Sequence, residues 1–335
     1  MKVVIPGGSG QVGTILARDF HRRGDEVVVL SRKLAPSTEL WPWRVVPWDG
    51  RSLGDWQQEI DGADVVINLA GRSVNCRYHQ RNRREIVDSR ILSTRVVGQA
   101  IARAKNPPRL WLQASTATIY AHRYDAPNDE CTGIIGGNEP GAPETWNFSI
   151  DVATGWEREF DAAVTPHTRK VAMRSAMTMS PDRDGIFDVL RRMVHLGLGG
   201  TMGDGRQYMS WTHELDFIRA VHFLIEHEEL SGKVNIASPN PLPNAEFMRE
   251  LRAAVGMPFG LPAPAWLLEI GAVVIRTETE LILKSRRVVP GRLLAAGFQF
   301  EYPHWHDASR ELCARPRTVW EPASVPVLRE RSSRM

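Results

Sequence analysis

The stretch KVVIPGGSGQVGTIL, residues 2–16, decides the fold, because it sets four glycines between an apolar run and a helical pattern. Residues 2–6 have the apolar, β-branched character of a short buried strand. Apolar residues then recur at helical spacing up to Gly24, a residue type that commonly ends helices. The stretch therefore predicts a strand, a glycine-rich turn and a helix, in that order.

Further apolar runs follow at intervals that leave room for helices. The four runs are EVVVLSR (26–32), ADVVINLAG (63–71), RLWLQAS (109–115) and KVAMRSA (170–176). Residues 80–104 are long enough for a crossover helix between two of them. Continuous apolar strands that alternate with helices are typical of a parallel sheet covered on both faces. We therefore predict an α/β protein with a doubly wound parallel sheet of the Rossmann type.

The pattern changes near residue 181, where helical segments alternate with connections rich in proline and glycine. This change predicts a smaller C-terminal substrate lobe at the carboxyl edge of the sheet, where doubly wound proteins bind ligands. The predicted division is a Rossmann domain over 1–180 with a returning segment at about 210–238, a substrate lobe over 181–209 and 239–312, and a disordered tail over 313–335.

Composition and charge argue against several classes of protein. The formal net charge is +3 without a dense basic tail, so no nucleic-acid partner is expected. Three scattered cysteines without a CxxC pair predict neither disulfides nor a metal site. The longest apolar stretch, 261–275, is broken by Glu269 and two prolines, so no membrane span is expected. Because a strand is predicted to begin at residue 2, we expect no signal peptide and a cytoplasmic protein. The protein is expected to be a monomer or a homodimer.

The glycine spacing predicts a dinucleotide site. Gly8, Gly10 and Gly13 satisfy G-x-G-x-x-G, and Gly7 in place of Gly8 satisfies G-x-x-G-x-x-G. Between a strand and a helix, glycines allow a tight turn and the close approach of a pyrophosphate to backbone N–H groups. A turn without a ligand is the alternative, and the strand–turn–helix context disfavours it.

The end of the second strand indicates which dinucleotide binds. An NAD site places an acidic residue there to bond the ribose 2′-hydroxyl. The strand instead ends with Ser31, Arg32 and Lys33, and an arginine can hold a 2′-phosphate bidentately. The sequence therefore predicts NADP(H) rather than NAD(H). An exposed basic turn is the alternative.

Several motifs together resemble the extended short-chain dehydrogenases/reductases, in particular an atypical epimerase-like branch known as predicted nucleoside-diphosphate-sugar epimerases. They span residues 2 to about 312. Besides the glycines, the motifs are WDG with Asp49, INLAG ending at Gly71 before an arginine-rich DSR…STR helix, AST (114–116), LGLGG…GDGRQYMSW-H-D (196–216) and SRRVVPGRLLAAGFQFEYP (285–303).

The resemblance implies a role for each matching position. The pyrophosphate would be bound by Gly7, Gly10, Gln11, Val12 and Gly13, and the 2′-phosphate by Ser31 and Arg32. Asp49 would lie by the adenine, and the ribose and phosphate would be bordered by Leu69, Ala70 and Gly71. Ser115 and Thr116 would lie near the nicotinamide. Thr116 matches the catalytic Ser/Thr of the family. Outside that context Asp49 would be a turn residue before Gly50.

The pattern of the wider superfamily breaks at its catalytic Tyr-x-x-x-Lys pair. None of the five tyrosines is followed four residues later by lysine. Ser149 and Ala153 in NFSIDVATGWE (147–157) stand at the positions of the pair, and neither can do its work. The atypical branch commonly lacks the pair. Tyr120 is a candidate acid/base group, with a structural turn residue as the alternative.

Arginines at two places in the sequence suggest an anionic substrate. Six arginines lie within residues 77–95. They could line a pocket for an anionic substrate, or they could form the solvated face of a helix. Arg206 resembles the arginine that extended members use on a nucleotide-sugar pyrophosphate, or it pairs with Asp204 or Asp216.

Three functions follow from these observations. The first is an NADP(H)-dependent oxidoreductase or epimerase acting on a small carbonyl or nucleotide-sugar-like molecule. The second, motivated by the missing Tyr–Lys pair, is a catalytically weak NADP(H)-binding sensor or regulatory protein. The third, an RNA-associated protein, rests only on the mild basic charge.

Overall fold

The computed structural model describes residues 1–32, 41–137, 139, 142–264, 278 and 280–316. Seven strands form one sheet in the order β10-β6-β5-β4-β1-β2-β3. Their bounds are β1 Lys2–Pro6, β2 Glu26–Ser31, β3 Arg44–Pro47, β4 Val65–Asn68, β5 Leu110–Thr116, β6 Arg169–Ser175 and β10 Gly232–Ile236. Every pairing in this sheet is parallel, which confirms the predicted doubly wound class.

Helices cover both faces of the sheet and extend beyond its carboxyl edge. Their bounds are α1 Gln11–Arg22, α2 Gln80–Arg103, α3 Asn147–Ala162, α4 Ile186–His195, α5 Glu214–Glu226, α6 Asn244–Val255, α7 Glu280–Leu283, α8 Gly291–Ala295 and α9 Trp305–Ala314. Four short strands complete the fold. Parallel β7 Met177–Met179 pairs with β9 Trp211–His213, and antiparallel β8 Tyr208–Met209 pairs with β11 Leu242–Pro243.

The continuous apolar strands follow from burial on both faces. Alternate residues of a strand point to opposite faces of a sheet. In β1, Val3 and Ile5 belong to the core shared with α1 and α5, whereas Val4 belongs to the core shared with α2 and α3. All three side chains are fully buried, and each contributes about 1.5–3 kcal/mol by leaving water.

A third core lies beyond the carboxyl edge of the sheet. It is built by α4, α6, α9 and the short strands β7 to β9. Its centre is Trp305, which stacks on Phe247 at 4.0 Å between ring centroids and donates its indole N–H to the Phe247 carbonyl at 3.0 Å. This core therefore supplies a second wall beside the strand ends.

The predicted tail begins inside an ordered element. Helix α9 continues to Ala314, so residues 313 and 314 are helical rather than disordered, and residues 317–335 lie outside the described residues. Within the described part of the chain, no helix combines the length and the apolar character needed to cross a membrane.

The first turn brings backbone segments closer than any side chain would allow. Gly7 has a φ of +76°, and a Cβ there would lie 2.6 Å from the Cα of Ala70. A Cβ on Gly13 would lie 2.4 Å from the Cα of Gly8. Because both obstacles are backbone atoms, a side chain at Gly7 would push the turn after β4 away from β1, and a side chain at Gly13 would push α1 away from the glycine-rich loop.

Substitution Gly13→Ala is therefore expected to destabilise the fold by about 3 kcal/mol, the upper part of the range for overpacked sites. Urea unfolding of the purified protein measures this change. The matched control is Gly10→Ala, where the nearest atom to an added Cβ is 3.7 Å away and the change should stay within about 1 kcal/mol. Equal losses for the two variants would contradict the packing account.

Candidate functional site

The carboxyl ends of three neighbouring strands meet around the glycine-rich turn. The Gly7 N–H donates to the Leu30 carbonyl at 2.9 Å, and the Leu69 N–H donates to the Pro6 carbonyl at 2.8 Å. These bonds join the end of β1 to the ends of β2 and β4. The strand order reverses between β1 and β4, and such a reversal leaves a crevice in which doubly wound proteins bind ligands.

The N-terminus of α1 faces this crevice without a cap. Gly10 is the N-cap residue, its side-chain-free position supplies no cap to the N–H groups of this helix end, and the fully described first turn holds no acidic residue. Gln11 and Val12 are half-buried in the same turn, and Gly10 is exposed. Since a Cβ on Gly10 would meet nothing closer than the Gly7 carbonyl oxygen, at an ordinary contact distance of 3.7 Å, glycine is not required there by the protein's own packing. The arrangement leaves room for an anion against a positive helix end.

The end of β2 lies beside the same turn. Ser31 is buried, and its hydroxyl donates to the Ser9 hydroxyl at 3.1 Å, which links β2 to the glycine-rich loop. The next residue, Arg32, is exposed. Lys33, the basic residue that follows Arg32 in the sequence, lies outside the described residues. Arg32 thus directly follows the strand end that borders the crevice, and its contact with a 2′-phosphate stays a prediction.

Asp49 closes a turn after β3. Its carboxylate accepts backbone N–H groups of Arg51 at 2.8 Å and Ser52 at 2.9 Å, together with the Ser52 hydroxyl. Burial alone would raise the pKa of this carboxyl, but the hydrogen bonds from Ser52 and Arg51 lower it overall. Gly50 follows with a φ of +71°. This geometry is that of a turn residue, and the predicted contact with adenine stays a prediction.

The residues after β4 run along the crevice opposite α1. The buried Asn68 side chain accepts the Ala70 N–H at 3.1 Å and donates to Gln113 at 2.9 Å, which fixes this turn against β5. Gly71 is exposed, and a Cβ there would approach the Arg90 guanidinium at 3.3 Å. Arg90 comes from the arginine-rich helix α2, so one residue of that helix borders the crevice.

Tyr120 is held inside the protein rather than presented to a ligand. Only 2% of it is exposed, and its hydroxyl donates to the Asn235 side chain at 3.0 Å while accepting the Arg174 guanidinium at 2.9 Å. Burial raises the pKa of the Tyr120 phenol, although Arg174 opposes that effect. A catalytic tyrosine needs the reverse. This environment is that of a structural tyrosine and gives no support to the predicted catalytic role.

Ser115 belongs to the same buried network. Its hydroxyl donates to Glu157 of α3 at 2.6 Å, and the carboxylate of Glu157 also binds Arg174 bidentately at 2.8 Å on both oxygens. Thr116 is half-buried, and its hydroxyl oxygen accepts the Thr118 N–H at 3.1 Å. Of the two residues expected near the nicotinamide, only Thr116 has a hydroxyl outside this ion-pair network.

A polar cluster that the sequence did not reveal surrounds Ser149. The Ser149 hydroxyl donates to Glu280 of α7 at 2.6 Å, and burial together with the charge of Glu280 raises the pKa of the Tyr78 phenol to about 12. Glu280 is 3% exposed and Lys284 is 1% exposed, with 4.0 Å between Glu280 Oε1 and Lys284 Nζ. Ser149 stands at the position expected for the catalytic tyrosine, but no spacing pattern signalled Tyr78 or Glu280.

This cluster adjoins the turn that carries Thr116. The Lys284 ammonium donates to the Thr118 carbonyl at 3.0 Å, and Arg286 Nε donates to the Thr118 hydroxyl at 3.2 Å. Burial lowers the pKa of Lys284 to about 8, and the positive charge of Arg286 acts in the same direction. The C-terminal segment thus contributes titratable groups directly beside the predicted nicotinamide end of the crevice.

A cavity of about 330 Å³ opens next to this cluster. Its lining combines positive and negative groups: Arg77, Tyr78, His79, Arg83, Thr145, Trp146, Glu278 and Glu280. Arg77 is paired with Glu278 at 3.4 Å, and Arg83 donates to the Tyr78 carbonyl at 2.8 Å. The arginine-rich segment therefore turns part of its charge toward a cavity and part toward solvent.

Arg206 lies apart from this lining. Its side chain is exposed with the guanidinium 5.5 Å from the Tyr124 ring centroid, and its backbone N–H donates to the Asp204 carboxylate at 3.0 Å. The Asp216 carboxylate instead accepts backbone N–H groups of Glu301 and Tyr302. The predicted substrate role of Arg206 stays a prediction. Among the described residues, no three His, Cys, Asp or Glu side chains gather as metal ligands would.

Two family descriptions match consecutive parts of the chain. "NAD dependent epimerase/dehydratase family" matches residues 3–237, and "Domain of unknown function (DUF1731)" matches residues 263–312. Together the matched regions run from the first strand of the sheet into the last described helix.

Named relatives and solved structures also match nearly the whole chain. The epimerase family protein SDR39U1 of Bos taurus is 30% identical over 320 residues, which are 94% of this chain and all of the relative. A crystal structure of human SDR39U1 with NADPH superposes with a TM-score of 0.79 at 27% identity, over 93% of this chain and 99% of that one. The crystal structure of a nucleoside-diphosphate sugar epimerase from Corynebacterium glutamicum superposes with a TM-score of 0.72 at 25% identity. The match covers 95% of this chain and 59% of that one.

The buried ion pair under the crevice yields a stability prediction. Glu157→Gln removes the charge opposite Arg174, which is itself buried, and we expect a loss of about 3–5 kcal/mol in the free energy of unfolding. The matched control is Glu159→Gln on the same helix. Glu159 pairs with the half-exposed Arg95, so its loss should stay below about 1 kcal/mol. Denaturant unfolding of both variants distinguishes the two cases, and similar losses would contradict the assignment of a buried network.

Proposed function

The chain belongs to the NAD dependent epimerase/dehydratase family, and from that premise we propose that it is an NADP(H)-dependent oxidoreductase or epimerase. The observation that carries the proposal is the room in front of Gly10 at the uncapped start of α1, where an added Cβ would meet nothing closer than the Gly7 carbonyl oxygen at 3.7 Å. Glycine is kept there although the protein itself could accommodate a side chain. A pyrophosphate lying against the N–H groups of this turn accounts for both features.

The choice of NADP(H) rests on the end of β2. Arg32 is exposed at the rim of the crevice, beside Ser31, and a carboxylate that would repel a 2′-phosphate is missing from this strand end. The NADPH in the crystal structure of human SDR39U1 supports the same choice. In our proposal the pyrophosphate is bordered by Gly7, Gly10, Gln11, Val12 and Gly13. Asp49 lies by the adenine, and Leu69, Ala70 and Gly71 lie along the ribose and phosphate.

When bound, the nicotinamide would supply the hydride transfer of this family. The residues of the chain would then bind and orient the substrate and manage its proton. We propose that Thr116 positions the reacting oxygen, because its hydroxyl lies at the end of β5 beside the crevice. The substrate lobe would be formed by residues 181–209 and 239–312.

The substrate we propose is a small carbonyl or nucleotide-sugar-like molecule with an anionic group. Arg77, His79 and Arg83 line the 330 Å³ cavity and would attract such a group. The name of the Corynebacterium glutamicum neighbour, a nucleoside-diphosphate sugar epimerase, fits this class. The protein would act in the cytoplasm as a monomer or homodimer.

A catalytically weak NADP(H)-binding sensor is the second candidate. The observation in its favour is that Ser149 and the fully buried Ala153 occupy the positions of the catalytic pair. In this case NADP(H) would bind to the same crevice without turnover.

The two functions differ in whether bound NADPH is consumed. If the protein is an oxidoreductase, incubation with NADPH and a panel of carbonyl compounds, including phosphorylated and nucleotide-linked ones, should lower the absorbance of NADPH with at least one of them. Tight binding of NADPH without oxidation across the panel would favour the sensor. A boiled sample serves as the control for spontaneous oxidation.

Substitution Arg32→Ala tests the choice of cofactor. Losing a charge-assisted contact with the 2′-phosphate should weaken NADPH binding about 10- to 100-fold and leave NADH binding nearly unchanged. Calorimetric titration with each nucleotide measures both constants. Arg103→Ala is the control, since Arg103 is exposed at the end of α2, at the opposite edge of the sheet. An equal loss of both nucleotides in Arg32→Ala would contradict the assignment.

A further inference from the structure

A short segment that connects β7 to α4 lies beside the glycine-rich turn. It comprises residues 180–185, which we call the strap, and it ends at Gly185, the N-cap residue of α4. A Cβ on Gly185 would lie 2.1 Å from the side-chain amide nitrogen of Gln11, in the first turn of α1. The strap therefore lies directly against the helix end that faces the crevice.

This contact covers a polar group of Gln11. The amide nitrogen, Nε2, is buried and has no hydrogen-bond partner among the described residues. A buried N–H donor without an acceptor is costly. The closed position of the strap therefore carries an unfavourable contribution at Gln11, which other contacts have to offset.

One ion pair ties the middle of the strap to α1. Arg18 donates from both terminal nitrogens of its guanidinium to the two carboxylate oxygens of Asp182, at 3.3 and 2.8 Å. The two side chains are 13% and 14% exposed, so solvent screens the pair only in part. Arg18 follows Gln11 by about two helical turns, so both side chains lie on one face of α1. Bidentate pairs of this kind are among the stronger hydrogen-bonded contacts in proteins.

The other hydrogen bonds of the strap lie within it or reach α4. The Asp182 N–H donates to the Ser180 hydroxyl at 3.1 Å, and the Asp184 N–H donates to the Asp188 carboxylate at 3.1 Å. Asp184 has a φ of +62°, a backbone conformation that is unfavourable for a residue with a side chain. Within the described chain, the pair of Arg18 with Asp182 is thus the one hydrogen-bonded link from the strap to α1.

We propose that the strap closes over the dinucleotide site and that the Arg18–Asp182 pair is the latch that holds it shut. This inference rests on the proposed function, in which NADP(H) enters the crevice and Gln11 borders its pyrophosphate. The nucleotide has to displace the strap to reach the covered amide of Gln11. A phosphate oxygen then accepts that amide N–H, and the strap closes again. Arg18 and Asp182 act only through the strap and are positioning residues.

A latched strap slows the entry and the exit of the nucleotide alike. Nucleotide enters the site only while the strap is open, and bound nucleotide leaves it only while the strap is open. The latch makes the same contact with and without nucleotide, so it lowers the open population in both states by the same factor. Removal of the latch therefore raises the association and dissociation rate constants together and leaves the dissociation constant unchanged.

Hydrogen–deuterium exchange of the protein without nucleotide tests the latch itself. The N–H groups of Asp182, Asp184 and Gly185 are hydrogen-bonded in the closed strap. In Arg18→Gln and in Asp182→Asn they should exchange about 5- to 20-fold faster, because a charge-assisted pair no longer opposes opening. Arg95→Gln is the matched control, since Arg95 makes a bidentate ion pair between α2 and α3. Unchanged exchange in the two latch variants would overturn the proposal.

Stopped-flow measurement of NADPH binding tests the effect on nucleotide exchange. Arg18→Gln and Asp182→Asn should each raise both rate constants by about the factor seen in hydrogen exchange, with a dissociation constant within about twofold of the wild-type value. The two variants change the charge of the protein in opposite directions, so an equal effect cannot come from attraction of the anionic nucleotide. The double variant should be no faster than either single one, because both remove the same contact.

The pattern of rate constants separates the strap from a direct contact. A higher dissociation rate constant with an unchanged association rate constant would overturn the proposal, because it indicates a lost contact with bound nucleotide. Unchanged rate constants would overturn it as well. Arg18→Lys, which keeps the charge without the bidentate geometry, should give intermediate values. Failure of the wild-type protein to bind NADPH in calorimetry would instead overturn the proposed function, and the hydrogen-exchange result would be unaffected.

Discussion

The close approach of backbone to backbone at Gly7 and Gly13 is the constraint on which the rest of the structure depends. At Gly13 it draws α1 against Gly8 of the loop after β1, at 2.4 Å from any added Cβ, and at Gly7 it draws this loop against Ala70 after β4, at 2.6 Å. Only with the helix in this place does its uncapped N-terminus face the crevice where the strand order reverses. Gly10 then presents bare backbone to that space. Packing explains two of these glycines, and the proposed ligand explains the third.

A second constraint comes from the C-terminal part of the chain. The segment after α7 lies against the turns that follow β5: the Asn128 N–H donates to the Arg287 carbonyl at 2.7 Å, and the Val289 N–H donates to the Asn128 carbonyl at 3.0 Å. This anchoring carries Glu280 and Lys284 to the side of Thr116 and Ser149. Part of the region that matches the domain of unknown function therefore packs against the turns around the candidate site.

The sequence was informative where the signal is local. Apolar runs predicted the sheet because its strands are buried on both faces, and the family matches confirm the resemblance read from the motifs. Long-range polar contacts were beyond such reasoning. Glu280 lies 131 residues from Ser149 along the chain, and Tyr120 is joined to Asn235 across 115 residues. Nothing in the spacing of Tyr120 distinguished a phenol locked by Arg174 from one open to a substrate.

The account depends above all on a dinucleotide lying across the start of α1 with its 2′-phosphate toward Arg32. The most direct measurement is a calorimetric titration of the purified wild-type protein with NADPH and, separately, with NADH. The account predicts saturable heat with NADPH and clearly weaker binding of NADH. The absence of heat with both nucleotides, or tighter binding of NADH, would contradict it.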